Sequence, residues 1–244
     1  MKEENTRRGA LKALAGFGIA LVQCGTSGSS PNDGGGGEGG ADAPADSASD
    51  ASLDDAGSCK VTPNEIAGPY PDKVQQLRQD ITEGRPGLAL TLTFTVVNAK
   101  DGCKPMADVL VDIWQCDADG HYSEYLQPTY DGTGLSFLRG VQTTDANGQA
   151  TFKTIYPGWY MGRAAHIHVE VRANGNRLKT SQIAFPDDVT AAVYATGVYA
   201  THGQNPTQNA NDGSFADGVN DQLVSLVGDT TNGYAGTLVL GVSV

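Results

Sequence analysis

Basic residues are scarce: 16 Lys and Arg stand against 28 Asp and Glu in 244 residues, a formal net charge of −12. Gripping phosphates takes a surplus of Lys and Arg on some face, so no nucleic-acid partner is expected. The four cysteines include no C-x-x-C spacing, which argues against a structural zinc site. No apolar run reaches the roughly 20 residues that a membrane-spanning helix needs. Helical periodicity is thin and confined to Pro71–Glu83 and part of Gly213–Val227, and no internal repeat is visible. Histidine is rare as well, with four in the chain, and this scarcity makes the position of each one informative.

The N-terminus has the composition of an address. Thr6-Arg7-Arg8-Gly9-Ala10-Leu11-Lys12 is a twin-arginine pattern, followed by a modest apolar run from Ala13 to Val22. Residues 1–24 are expected to act as a bacterial export signal of that type, placing the protein in the periplasm, on the cell envelope or outside the cell. Cys24 closes the apolar run and precedes a Gly/Ser stretch, so a membrane tether through a lipidated Cys24 stands beside a plain leader as an open alternative; Gln23 is a poor match to lipoprotein processing. Residues 25–58 are Gly, Ser, Asp, Ala and Pro with almost nothing large and apolar. Such a segment buries too little surface to offset its ordering entropy and is expected to be a disordered linker.

From residue 59 to 244 the composition is that of one packed domain. Leu88-Ala89-Leu90-Thr91-Leu92-Thr93-Phe94-Thr95-Val96 sets apolar residues on alternate positions with threonines between them, the signature of a half-buried strand. Val109–Trp114, Gln149–Ile155, His166–Val171, Thr180–Phe185 and Thr237–Val244 are further strand candidates. Lys100-Asp101-Gly102, Asp145-Ala146-Asn147-Gly148 and Asn174-Gly175-Asn176 supply turns between them. The reading is an all-β, antiparallel sandwich or barrel. Of the three cysteines in this region, two should pair in an oxidising compartment. Cys59 opens the domain and Cys103 lies in a turn, which favours Cys59–Cys103 with Cys116 buried and free, other pairings staying open.

The strongest local signal is Tyr160-Met161-Gly162-Arg163-Ala164-Ala165-His166-Ile167-His168. On a strand, His166 and His168 share one face and Ile167 takes the other. Two imidazoles on one face are half of a metal site, although the pair alone could equally be hydrogen-bonded strand histidines. No carboxylate with facial-triad spacing accompanies them. Tyr122 and Tyr160 are candidates to complete the set. A phenol binds metal well only when the cation drives off its proton, and a hard ion such as Fe(III) does so.

The stretches Asp112-Ile113-Trp114-Gln115-Cys116-Asp117-Ala118-Asp119-Gly120-His121-Tyr122-Ser123, Arg139-Gly140-Val141-Gln142-Thr143-Thr144-Asp145 and Pro157-Gly158-Trp159-Tyr160 running into Arg163–His168, with Gly68-Pro69-Tyr70 and Arg78-Gln79-Asp80-Ile81 upstream, resemble the intradiol ring-cleavage dioxygenases. The similarity covers nearly all of the chain from Cys59 onward. It implies an antiparallel β-sandwich with few short helices and one Fe(3+) per chain, held by Tyr122, Tyr160, His166 and His168. It also implies a catechol-type small-molecule substrate and O2 as partners. Tyr160 matches the tyrosine that leaves the metal when substrate binds. Arg163 matches an arginine that stabilises developing negative charge beside the substrate, and Gln182 matches a glutamine near the iron. The chain differs from better-known members in a shorter stretch between Tyr160 and His166 and in having no long helical segment before the β domain. The competing reading is an exported iron- or phenol-binding sandwich without turnover.

Overall fold

The computed structural model describes residues 59–244. The expected export signal, Cys24 and the linker lie outside the described residues. In chain order the strands are β1 (Ala89–Asn98), β2 (Lys104–Pro105), β3 (Leu110–Trp114), β4 (Leu126–Gln127), β5 (Tyr130–Asp131), β6 (Arg139–Thr143), β7 (Gln149–Ile155), β8 (His166–Ala173), β9 (Asn176–Ala184), β10 (Ser225–Asp229) and β11 (Gly233–Val242). Helix is limited among the described residues to α1 (Asp187–Tyr194), α2 (Tyr199–His202) and two single 3-10 turns, Asn209–Asn211 and Gly213–Phe215. None of these helices is long and apolar enough to cross a membrane.

Two sheets face each other. One runs β10-β11-β1-β2, with β7 also paired to β1; the other runs β6-β3-β8-β9. Alternation in β1 sends Leu90, Leu92, Phe94 and Val96 inward. They meet Val111 and Ile113 of β3, Ile167, Val169 and Val171 of β8, and Ile183 of β9 in one continuous core. Each fully buried side chain of this kind contributes roughly 1.5–3 kcal/mol, so the inward rows fix which face of β3 and β8 remains for other work. The expected sandwich is present, with one difference in direction: β1 and β11 pair in parallel, Leu90 opposite Tyr234. The β10–β11 hairpin delivers the last strand alongside the first.

The outer face of the four-stranded sheet is not left to solvent. Residues 59–81 cross it as an extended strap, joined by backbone bonds from Glu65 to Thr180 of β9 and from Arg78 to Val141 of β6, and at its end from Ile81 to Lys153 of β7 in the other sheet. The helix expected over Pro71–Glu83 is therefore absent. Its apolar spacing is incidental: Ile81 is buried, but Val74 and Leu77 are exposed, and positive φ at Gln75 and Glu83 interrupts helical geometry. The helix expected within Gly213–Val227 reduces to the Gly213–Phe215 turn followed by β10. The real helices were unforeseen, although Pro186-Asp187-Asp188 is a start signal, with two acidic residues in the first turn of α1. Cys59 and Cys103 are bonded with Cα atoms 5.6 Å apart, and Cys116 is free and buried, in the favoured arrangement.

A candidate metal centre on the outer sheet face

Because Ile167 points into the core, His166 and His168 project from the opposite side of β8. One rung crosses all four strands there: Arg139 lies opposite Trp114, Trp114 opposite His168, and His168 opposite Gln182. Side chains on one rung of a sheet touch directly, so the sheet assembles half the site by register alone. Tyr122 enters from the loop after β3, where a turn holds it: the Asp117 carboxylate accepts the backbone N–H of Asp119 at 3.1 Å and of His121 at 2.9 Å. Tyr160 enters from the loop before β8.

The four rings converge. Centroids are 4.9 Å apart for His166 and His168, 5.5 Å for Tyr160 and His166, 5.8 Å for Tyr122 and Tyr160, and 6.3 Å for Tyr122 and His168. Tyr160 Oη is 3.2 Å from His166 Nε2. His166 Nδ1 is 2.7 Å from the Ala164 carbonyl. A carbonyl only accepts, so Nδ1 carries the proton and Nε2 turns its lone pair into the cluster, where it accepts the Tyr160 hydroxyl.

Burial sets the protonation states. It pulls His166 down to about 4, helped by the charge of Arg163. It pulls His168 well below its ordinary value, with the His166 and Arg163 charges adding to it. Both imidazoles are thus neutral near pH 7. Burial also pushes Tyr160 up to about 12 and Tyr122 well above the usual phenol range, so without a cation both tyrosines keep their protons.

The donor set fits a single hard cation. Tyr122 Oη is fully buried and has no hydrogen-bond partner, and His168 Nδ1 also lacks one. Leaving such a group unpaired costs about 1–3 kcal/mol, a cost removed if the phenol oxygen binds an ion. A second cluster, Asp117, Asp119 and His121, has ligand-like spacing. Its central carboxylate is already occupied by two backbone N–H groups and by the Arg85 guanidinium, and that resident cation opposes a metal, so the cluster reads as a turn that shapes the approach to Tyr122.

Arg163 and Gln182 both border the cluster. The guanidinium approaches Tyr160 Oη at 3.4 Å through NH1 and donates to Gln182 Oε1 through NH2. Gln182 in turn donates to the Ile66 carbonyl of the strap at 2.8 Å. Three contributors had no assigned role from sequence. Trp114 stacks on His168, and Arg139 ties Ser123 to the Tyr70 carbonyl of the strap. Asp212 receives Nε of Arg163 at 2.9 Å. Trp114 and Arg139 had sat inside the quoted motifs, whereas Asn211-Asp212-Gly213 carried only a turn signal. Of the aromatics in the quoted motifs, Tyr70 packs on Tyr122 at 4.9 Å. Trp159 instead donates to the Gly203 carbonyl and packs on His202.

Together the two-sheet β fold and a buried cluster of two phenols and two imidazoles define a β-sandwich protein with a candidate site for a single metal ion. A family model described as Dioxygenase matches residues 63–204. The chain belongs to the intradiol ring-cleavage dioxygenase family. It is 33% identical over 164 residues to a catechol 1,2-dioxygenase of Acinetobacter baylyi, a match covering 58% of this chain and 51% of that one. An intradiol ring-cleavage dioxygenase structure from Tetranychus urticae superposes with a TM-score of 0.71 at 30% identity, over 76% of this chain and 95% of that one. The dioxygenase domain of a dioxygenase–carbohydrate-binding fusion from Streptomyces sp. SirexAA-E gives a TM-score of 0.58 at 32% identity, over 76% and 99%. The chain spans about half the length, or less, of the curated relatives it matches.

Proposed function

We propose that the chain cleaves the ring of a catechol-type substrate between its two hydroxylated carbons, using O2 and one Fe(3+) held by Tyr122, Tyr160, His166 and His168. The product is a muconate-type dicarboxylic acid that carries both atoms of O2, so the reaction balances without an external reductant. The observation that carries the reading is the convergence of two neutral imidazoles with two phenols, one of them buried without a partner. Ferric iron, when bound, would act as a Lewis acid that draws electron density from a chelated catecholate and opens the ring to O2.

The two tyrosines are suited to different tasks. Tyr122 is fully buried and packed beneath Tyr70, so it has no room to move and serves as a fixed ligand. Tyr160 is only partly buried, beside the exposed Met161, and is the phenol able to swing away and take up a proton from a substrate hydroxyl. Arg163 stands at 3.4 Å from the Tyr160 oxygen, where its fixed charge favours negative charge developing on nearby oxygens. Tyr70 and the strap shield the cluster from water on the Tyr122 side.

The twin-arginine leader supports export, with Cys24 as a point of lipid attachment, and the Cys59–Cys103 bond suits an oxidising compartment. The test is spectroscopy and oxygen uptake on natively matured protein. Iron at one per chain, a visible tyrosinate-to-iron band altered by Tyr122→Phe and by Tyr160→Phe, and equimolar O2 uptake with catechol are expected. An iron-free, colourless protein would overturn the metal site. A coloured protein with no uptake on any catechol would leave a binding protein in place of an enzyme.

A further inference from the structure

Asp212 lies 49 residues from Arg163 in sequence, yet its side chain is fully buried against it. Both carboxylate oxygens face the guanidinium Nε, at 3.0 and 2.9 Å. The same carboxylate accepts the N–H of Ala164 at 2.7 Å and the N–H of Ser214 at 2.9 Å. Its acceptor positions are thereby filled from three directions, and the loop 209–215 is pinned to the start of β8. Ala164 is held at both ends, since its carbonyl fixes His166 Nδ1.

With Nε committed to Asp212, the planar fork has one orientation left. NH1 falls toward Tyr160 Oη and NH2 toward Gln182 Oε1. A guanidinium on a flexible stem would otherwise sample many rotamers, and holding a group within a fraction of an ångström is worth large factors in rate. The ion pair also sets the charge. Arg163 sits beside two imidazoles and two phenols, and Asp212 cancels much of its field while leaving the NH1 and NH2 donors in place.

We propose that Asp212 is a positioning residue that acts through Arg163, fixing the guanidinium toward Tyr160 and tempering its charge at the metal centre. The inference rests on the dioxygenase reading for its rate measurement but not for its spectroscopic one. Without Asp212 the Arg163 charge is uncancelled 3.4 Å from the Tyr160 oxygen. A phenolate so stabilised gives up its electrons to iron less readily, and its charge-transfer band moves to shorter wavelength.

The experiment is a double-mutant cycle on the iron-loaded full chain, with Asp212→Asn and Arg163→Gln alone and together, read by band position and by kcat/KM for catechol. Asp212→Asn should lower kcat/KM about 10- to 100-fold, as loss of a supporting partner does around metal sites, and should shift the band to shorter wavelength. In the Arg163→Gln background the same change should cost less than about threefold and leave the band unmoved. Equal losses in both backgrounds, or a band indifferent to Asp212 in the presence of Arg163, would overturn the proposal and leave Asp212 as a loop pin. If Asp212→Asn fails to fold by circular dichroism, Asp212→Ser removes the charge, retains an oxygen for the Ser214 amide and carries the same expectations. A wild-type protein with the band but no catechol turnover sinks the dioxygenase reading, while the band comparison still decides the role of Asp212.

Discussion

The His168 imidazole lies parallel to the Trp114 indole, with ring centroids 5.1 Å and planes 4° apart. The two residues are register partners on β8 and β3, so the sheet itself brings the rings face to face. No hydrogen bond to His168 Nδ1 holds that ring, in contrast to His166, and stacking takes over the orienting task.

Trp114→Phe therefore separates orientation from folding. The indole N–H is itself buried without a partner, so its loss removes an unsatisfied donor and the cost to the fold should stay near 1 kcal/mol. Iron retention should suffer more, with loss to a chelator about 10-fold faster than in wild type. The measurement is iron content against time in excess chelator, with circular dichroism confirming the fold. Loss rates equal to wild type would remove Trp114 from the support of His168.

Gly68 marks where the strap passes over the same imidazole. Its φ is +68°, and a Cβ there would lie 2.9 Å from His168 Cε1. Gly68→Ala thus adds crowding to the cost of about 1–2 kcal/mol for a left-handed L-residue. Gly84 has a similar φ of +71° and nothing within 4 Å of its would-be Cβ, so Gly84→Ala isolates the backbone cost. Urea unfolding should show the Gly68 variant losing more than the Gly84 variant, and only the former should alter the visible band. Equal losses and identical spectra would mean that the strap gives way without disturbing His168.

The parts of this structure legible in sequence are those written in side-chain alternation. Leu90, Leu92, Phe94 and Val96 announced β1, and His166-Ile167-His168 announced which side chains leave the core. Tyr122 and Tyr160 came through motif resemblance, because nothing in spacing alone links residue 122 to residue 166. The strap was hidden because it docks through backbone bonds such as Arg78 N–H to the Val141 carbonyl, which any residue can make. Asp212 was hidden for a related reason: an Asp before Gly is the ordinary sign of a turn, and its capping of Ser214 masks its grip on a distant arginine. The parallel placement of β11 beside β1 is a matter of sheet topology, which residue periodicity does not encode.

The metal-free protein should weaken in acid through its buried imidazoles. His166 falls from its ordinary 6.5 to about 4, and His168 shifts in the same direction. For a group whose pKa is lower in the folded state, the unfolded chain binds the extra proton, so stability rises with pH across that window. The contribution is whole above 6.5 and is lost as pH falls toward 4, a matter of about 2–4 kcal/mol for His166. Urea midpoints of the metal-free protein between pH 7 and 4.5 should fall more steeply for wild type than for His166→Gln. Parallel slopes would show that His166 is not buried neutral.

Asp112 titrates in the opposite sense, one rung along the same sheet face from Trp114 and His168. It lies opposite Glu170, is 1% exposed, and has no partner for either carboxylate oxygen; its nearest cation is Arg172, at 3.8 Å. Burial, reinforced by the charge of Asp72, raises it from its ordinary 3.8 to about 9. Here the folded state holds a proton that the unfolded chain has released, so stability is whole below 3.8 and is lost as pH climbs to 9. Asp112→Asn keeps the shape and cannot ionise. It should leave stability nearly unchanged at pH 3.5 and raise it at pH 9 by several kcal/mol, since each pH unit between 3.8 and 9 costs the wild type about 1.4 kcal/mol. Urea unfolding of the metal-free pair at both pH values is the measurement. A wild type no more sensitive to alkali than the Asn variant would mean that Asp112 finds a counter-charge or solvent beneath the strap.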